Sequence, residues 1–267
     1  RFGFREMWAA GDRLYLNGIP INLLAGATWP PSGTVTNTAI RKVFQDAKAG
    51  NTIALRLHTQ PWDERWYDIA DEEGILLIEE CAVWCDPAAY RLSDPRFWIN
   101  YAQHLTAAVK RDWNHPSIVM WSLENEILHC GGARSSTHAE ADLAAMGRVV
   151  KSVDPTRPIT YEADLDPGGE AHVLGLHYPY EFPDQQVWPN AAYWMDQFIA
   201  RDWIPGGQWR WDRSKPLYIG EFLWVPGTSA QNFTILFGDD AYFDPGYYRN
   251  QSKAQTWRMA VEAYRSY

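Results

Sequence analysis

Ile118-Val119-Met120-Trp121-Ser122-Leu123-Glu124-Asn125-Glu126 opens as an apolar strand and closes on two carboxylates around an asparagine. Four large apolar residues in a row suit a strand covered on both faces, as in a parallel sheet. Helical spacing precedes it, from Phe97 to Arg111, and returns after it, from Ala139 to Val153. A buried strand between two helices is one unit of a repeating βα pattern, and the pattern extends both ways. Apolar runs occupy Ile21 to Ala27, Thr52 to Leu57, Ile75 to Glu79, Ile159 to Tyr161, Val173 to Leu176 and Leu217 to Gly220. Helical patterns cover Thr38 to Ala49, Arg65 to Glu73 and Ala192 to Ala200. Short strands separated by helices predict an α/β fold with a parallel sheet covered by helices.

Before the first run, Leu14 to Ile21 reads as a hairpin turning on Asn17-Gly18, the favoured two-residue turn. Counted along the chain, the apolar runs make seven strands, one short of a (β/α)8 barrel, a fold of about 250 residues. The 267 residues accommodate one such domain. Phe233 to Phe237 is the one candidate for an eighth strand, but it sits in a Gly/Pro/Asp-rich stretch. It also precedes a helical pattern, Asn250 to Tyr267, with Ala254, Trp257, Val261 and Tyr264 on one face. The expectation is therefore a (β/α)8 barrel lacking its eighth strand in this chain. An open edge between strands seven and one would need a cover.

Composition removes several classes of function. A net charge of −9 argues against a nucleic-acid groove or an anionic membrane as partner. No apolar run approaches the roughly 20 residues that cross a bilayer. Cys81, Cys85 and Cys130 are three, so no disulfide framework is expected, and no second pair has zinc-type spacing. They read as ordinary, partly buried thiols, and no metal or cofactor is expected. Fifteen tryptophans exceed the needs of a core, and many stand beside polar residues, where flat aromatic faces suit sugar rings. The chain starts at Arg1 without a basic-then-apolar leader and reads as a piece of something longer.

In a (β/α)8 barrel the chemistry sits at the C-terminal ends of the strands. Glu126 falls there after the run Ile118 to Trp121. Glu221 falls there in Lys215-Pro216-Leu217-Tyr218-Ile219-Gly220-Glu221-Phe222, about three βα units later. Either glutamate alone is usually a solvated strand-end charge. Two that converge from different strands are what glycosidic-bond cleavage requires, one to protonate the leaving oxygen and one to meet the anomeric carbon.

Arg111-Asp112-Trp113-Asn114-His115-Pro116-Ser117 followed by Ile118 to Glu126 resembles the acid/base signature of glycoside hydrolase family 2, the β-galactosidase, β-glucuronidase and β-mannosidase group. The resemblance runs through most of the chain. Phe2-Gly3-Phe4-Arg5 is similar to the exit from that family's preceding β-sandwich, and Leu16-Asn17-Gly18 to the hairpin leading into its TIM barrel. Tyr67 to Leu76, Asp154-Pro155-Thr156-Arg157-Pro158 and Gly220-Glu221-Phe222 follow in the family's order. It implies that residues 1–19 are the sandwich exit and hairpin, and residues 20–267 a catalytic barrel truncated at its C-terminus.

By that resemblance Glu126 is the general acid/base and Glu221 the nucleophile of a retaining, double-displacement mechanism, with Asn125 holding the sugar 2-hydroxyl. Glu124, two residues earlier, alternates to the other side and is expected to be structural. Arg56 matches a second-strand arginine near the nucleophile, where a guanidinium would keep Glu221 ionised; an ion pair within the barrel is the alternative. His58 is a candidate for substrate contact, although the family's histidine falls one position later, at Thr59. Tyr178 ends strand six, where a tyrosine commonly hydrogen-bonds the nucleophile, and is preferred there to His177. Glu80 matches a strand-three carboxylate and is a candidate to bind a sugar hydroxyl or a cation. Trp29, Trp84 and Trp224 follow strands one, three and seven and are candidate walls of the sugar subsite, with plain loop packing as the alternative for each. Two departures stand out: Thr28 replaces an asparagine, in a Trp-Pro stretch resembling β-mannosidase-like members, and the family's eighth-strand tryptophan has no counterpart.

The implied activity is an exo-acting retaining β-glycosidase working on a terminal sugar, with other domains of the same parent chain as neighbours. An inactive carbohydrate-binding barrel and an endo-acting glycanase of the same clan are the alternatives. A metal-dependent barrel hydrolase would need several histidines at strand ends, and only His58 and His177 are so placed.

Overall fold

The computed structural model describes residues 3–29, 33, 35–85, 87–177, 199–200 and 208–221. The chain divides into two compact units, Arg1–Leu176 with Asp212–Gly220, and His177–Trp211 with Glu221–Tyr267. The first begins with a three-stranded antiparallel sheet of β1 (Met7–Ala10), β2 (Arg13–Leu16) and β3 (Ile19–Ile21). Leu16 pairs with Ile19 across the turn. Both turn residues have positive φ, 51° at Asn17 and 83° at Gly18, which explains the Asn-Gly pair. The expected hairpin is present, and β1 extends it by pairing Met7 with Leu16.

Five parallel strands follow, in the order β4 (Ala25–Thr28), β5 (Ala54–Leu57), β6 (Leu76–Glu80), β7 (Ile118–Asn125) and β8 (Ile159–Glu162). Then come β9 (Leu174–His177), β10 (Ile199–Ala200), β11 (Gln208–Trp209) and β12 (Leu217–Glu221). β9 is hydrogen-bonded to β12, and Leu174 N–H donates to Pro216 O at 2.9 Å. Gly175 allows β9 to approach β8, since a Cβ there would lie 2.0 Å from the Tyr161 carbonyl oxygen.

The connections are α1 (Asn37–Ala49), α2 (Glu64–Glu73), α3 (Pro87–Tyr90), α4 (Pro95–Asp112), α5 (Gly132–Ser135) and α6 (Ala139–Val153). Local chemistry fixes their ends. Thr36, Asp63 and Asp94 each accept a hydrogen bond from a first-turn N–H of α1, α2 and α4, and Pro95 stands where its missing N–H is not needed. α2 stops at Gly74, whose φ of 66° suits glycine.

Met7 and Leu14 of the antiparallel sheet pack with Ile78, Val119, Met120, Val173 and Tyr218. That cluster leaves the polar residues at the C-terminal ends of the strands to form a separate layer. All eight residues of β7 are buried, as their apolar run predicts.

Two expectations are corrected. Helical spacing from Ala192 to Ala200 ends on a strand, because Ile199–Ala200 pairs antiparallel with Gln208–Trp209; residues 192–198 lie outside the described residues. Here strand pairing overrides a weak local preference. The cysteines are not all free thiols: Cys85 and Cys130 form a disulfide, and Cys81 is a free, buried thiol. Sheet order is the reason, since β6 and β7 are neighbours and carry the loops that hold the two residues. The candidate eighth strand, Phe233 to Phe237, and the helical pattern from Asn250 to Tyr267 lie outside the described residues.

Candidate active site

In the first unit the strands β5 to β8 end on Arg56 and His58, Glu79 and Glu80, Glu124 to Glu126, and Glu162. Arg56 is fully buried. Its Nε donates to Glu80 Oε2 at 2.7 Å and its Nη2 to Glu80 Oε1 at 3.2 Å. Nη2 also donates to Asn125 Oδ1 and lies 3.0 Å from His58 Nδ1. Glu162 Oε1 stands 3.7 Å from Nε. Burial alone would lower the pKa of the guanidinium, but Glu162 and Glu80 outweigh it and raise it well above the ordinary value.

Glu80 accepts two further contacts, from Ser122 Oγ at 2.8 Å and at His58 Nδ1, 3.0 Å away. Against the opposing effect of burial, Arg56 and His58 keep its carboxyl below the usual range. Each oxygen thus has protein partners, and Glu80 is an anchor for Arg56. The His58 ring meets Trp29 edge-on at 4.2 Å. Trp29 is 57% exposed and Trp84 47%, so both are open to a bound molecule in a way His58, at 1%, is not.

Asn125 ends β7 with its amide split between two fates. Oδ1 accepts from Arg56, whereas the buried Nδ2 has no hydrogen-bond partner among the described residues. A buried amide donor without an acceptor is costly, and a sugar hydroxyl would satisfy it. Glu126 follows immediately in the left-handed region, at φ 62°, an uncommon place for a residue with a Cβ and one that marks functional sites. Its N–H donates to Glu162 O at 2.9 Å, and its carbonyl accepts from Cys130 N–H at 2.8 Å. The side chain is 8% exposed.

Glu124 serves the turn beyond. Its Oε2 accepts from Ile127 N–H at 2.9 Å. Asp164 continues the support by accepting from Leu128 N–H at 2.6 Å and His129 N–H at 2.9 Å. Burial, then the neighbouring Asp164 charge, push the Glu124 carboxyl well above the ordinary range. Glu79 is raised in the same way, by burial and then by Asp112.

His177 ends β9, fully buried, and Glu221 ends β12, half-buried. Tyr178 and Trp224 lie outside the described residues. Sequence reasoning missed Glu162, Asp164 and Ser122, and it missed the disulfide. Glu162 had the signal that exposed Glu126: a carboxylate closing a buried apolar strand. The disulfide had none, because its partners sit on separate loops.

A family profile described as "Glycosyl hydrolases family 2, TIM barrel domain" matches residues 30–222. The chain belongs to glycosyl hydrolase family 2. Among curated family relatives, β-galactosidase 2 of Enterobacter cloacae is 29% identical over 239 residues, 86% of this chain and 21% of that protein. The β-galactosidase of Vibrio cholerae is also 29% identical, over 240 residues with the same coverage. The chain thus spans about a fifth of the length of these relatives. Among solved structures, a β-glucuronidase from Ruminococcus gnavus bound to a C6-substituted uronic isofagomine is 25% identical. It superposes with a TM-score of 0.56, covering 67% of this chain and 32% of that one. A family 2 member from Bacteroides cellulosilyticus gives 0.51 at 26% identity, covering 60% and 21%.

Proposed function

We propose that this family 2 chain is the catalytic part of an exo-acting, retaining β-glycosidase built on a (β/α)8 barrel. The observation that carries the proposal is the pairing of Glu126, held in a left-handed turn at the end of β7, with the unsatisfied amide donor of Asn125 beside it. In the first step the Glu221 carboxylate attacks the anomeric carbon. The C–O bond to the leaving group breaks as Glu126 gives its proton to the departing oxygen. In the second, Glu126 takes a proton from water, water displaces Glu221, and the sugar leaves with its original anomeric configuration.

Asn125 Nδ2 holds the 2-hydroxyl, a contact that strengthens in the transition state. Arg56 fixes Asn125 by its other end, so the amide cannot turn its oxygen to the sugar. Trp29 and Trp84 are the walls assigned to the subsite, with His58 near it, and Glu80 acts through Arg56; the roles expected of Trp224 and Tyr178 fall outside the described residues. The relatives' names make terminal β-galactosides and β-glucuronides the first sugars to test. The reaction needs no cofactor. Other domains of the parent protein are expected to complete the molecule.

Role separation tests the proposal. Glu126→Ala and Glu221→Ala should each lower turnover of a phenyl β-glycoside by about a thousandfold. With a 2,4-dinitrophenyl glycoside, whose leaving group needs no proton, only Glu126→Ala should release a rapid burst of dinitrophenolate. Equal loss of that burst in both variants would sink the assignment.

A further inference from the structure

The one covalent cross-link among the described residues lies against the proposed acid. Cys130 Sγ is 3.9 Å from Glu126 Oε2, and a disulfide sulfur carries no proton, so this is a packing contact. Its partner, Cys85, is the residue after Trp84, which bridges to Asn125 in the sheet. Cys85 N–H donates to Asn125 O at 2.9 Å, and Asn125 N–H to Val83 O at 3.0 Å. The bond therefore joins the loop beyond β6 to the turn beyond β7, with Asn125 and Glu126 between its two anchors. Its Cα–Cα distance of 5.4 Å is ordinary for a disulfide.

We propose that the Cys85–Cys130 disulfide is a positioning element for Glu126, holding the carboxyl where it can protonate the leaving oxygen. This inference rests on the glycosidase function proposed above. The left-handed backbone at Glu126 is held on one side by Glu162 O and on the other by Cys130 N–H. A covalent tie at Cys130 keeps the second support in register and fills the space beside the carboxyl. Both sulfurs belong to half-buried residues, within reach of a small dithiol. Reduction takes two electrons and two protons from that dithiol, which leaves as its own disulfide and returns Cys85 and Cys130 as thiols. Cys85 can then move away, and the Cys130 S–H becomes a donor competing for the orientation of Oε2. Glu126 loses its fixed placement while Glu221, which performs the attack, is untouched covalently.

A merely structural cross-link would, on breaking, impair all substrates alike. A positioning role for the acid depends on the leaving group. The test uses the full-length protein, purified oxidised, with thiols counted by mass spectrometry, and phenyl and 2,4-dinitrophenyl β-D-galactosides and β-D-glucuronides as probes. Treatment with dithiothreitol should lower kcat/KM for the phenyl glycoside about tenfold and change the dinitrophenyl value less than twofold, since a misplaced acid matters only where a proton must be given. Reoxidation should restore the rate. The Cys85→Ser/Cys130→Ser protein should behave as the reduced enzyme and ignore dithiothreitol. If that variant fails to fold, the reversible treatment of the natural protein, with its melting followed alongside, carries the test. Equal loss on both leaving groups, no loss on either, or Cys85 and Cys130 found as free thiols in the oxidised protein would overturn the inference. Failure of the oxidised protein to cleave any dinitrophenyl glycoside would instead refute the glycosidase function, and the inference with it.

Discussion

Arg56 carries the charge balance of the first unit's interior. It stands out of water against Glu80 and Glu162, with Asn125 as a neutral third partner. Such an assembly adds little net stability, but removing one member leaves uncompensated charge buried. Arg56→Met should therefore lower the unfolding free energy by about 3–5 kcal/mol in urea titrations. An unchanged midpoint would mean that the two carboxylates neutralise themselves by taking up protons. Asn125→Ala should reduce kcat/KM by about tenfold or more, and only for glycosides that keep the 2-hydroxyl. A 2-deoxy glycoside losing as much would show that the amide acts elsewhere. Glu126 stood out in the sequence because a carboxylate closing an apolar strand breaks the hydropathy pattern, whereas Asn125 and Arg56 were picked out by the family resemblance. The Arg56 environment was legible only in alternatives. Glu80, only 24 positions along the chain, sits on the neighbouring strand and engages the guanidinium's Nε. A sequence does not say which of several carboxylates a buried cation will meet.

Elements obey their local chemistry more transparently. Asp94 caps α4 through Arg96 N–H at 3.0 Å, and Asp94→Ala should cost about 1 kcal/mol. Gly175→Ala should cost roughly 1–3 kcal/mol, because its Cβ would meet backbone that cannot yield as a flexible side chain does; an unshifted urea midpoint would show that β9 moves freely against β8. The parallel strands could be read ahead because burial on both faces writes them as unbroken apolar runs. The longer helices between them were marked by their apolar spacing, and the structure adds the caps and the glycine stop. β1 escaped notice because Met7-Trp8-Ala9-Ala10 has no alternation, and only its pairing with β2 makes it a strand. The Ala192 to Ala200 pattern failed for the complementary reason: a partner at Gln208–Trp209 claimed its end.

The molecule as a whole should respond to pH through groups that pull in opposite directions. Hydrogen bonding to Asp71 raises the His115 pKa above 6.5, so its stabilising contribution is complete below that value and disappears as pH rises through the higher folded one. Burial raises Glu79 and Glu124 well above 4.5, and their contribution likewise erodes as pH climbs past the unfolded value. Asp71 and Asp154 shift the other way: despite burial, their hydrogen bonds hold them below 3.8, and that stability is lost as pH falls through the lower folded values. Together with self-repulsion from a net charge of −9, these signs place maximum stability in mild acid, between about pH 4 and 6. A urea midpoint that rises steadily from pH 5 to 8 would contradict this. At the same scale, a chain spanning about a fifth of its β-galactosidase relatives still carries both glutamates of the proposed double displacement. The most direct test is to incubate the protein with 2,4-dinitrophenyl 2-deoxy-2-fluoro-β-glycosides and map the labelled peptide by mass spectrometry. One fluorosugar per chain, bonded to Glu221, is the predicted result; label on another residue, or turnover of the parent glycoside without any trapped sugar and with an inverted first product, would contradict it.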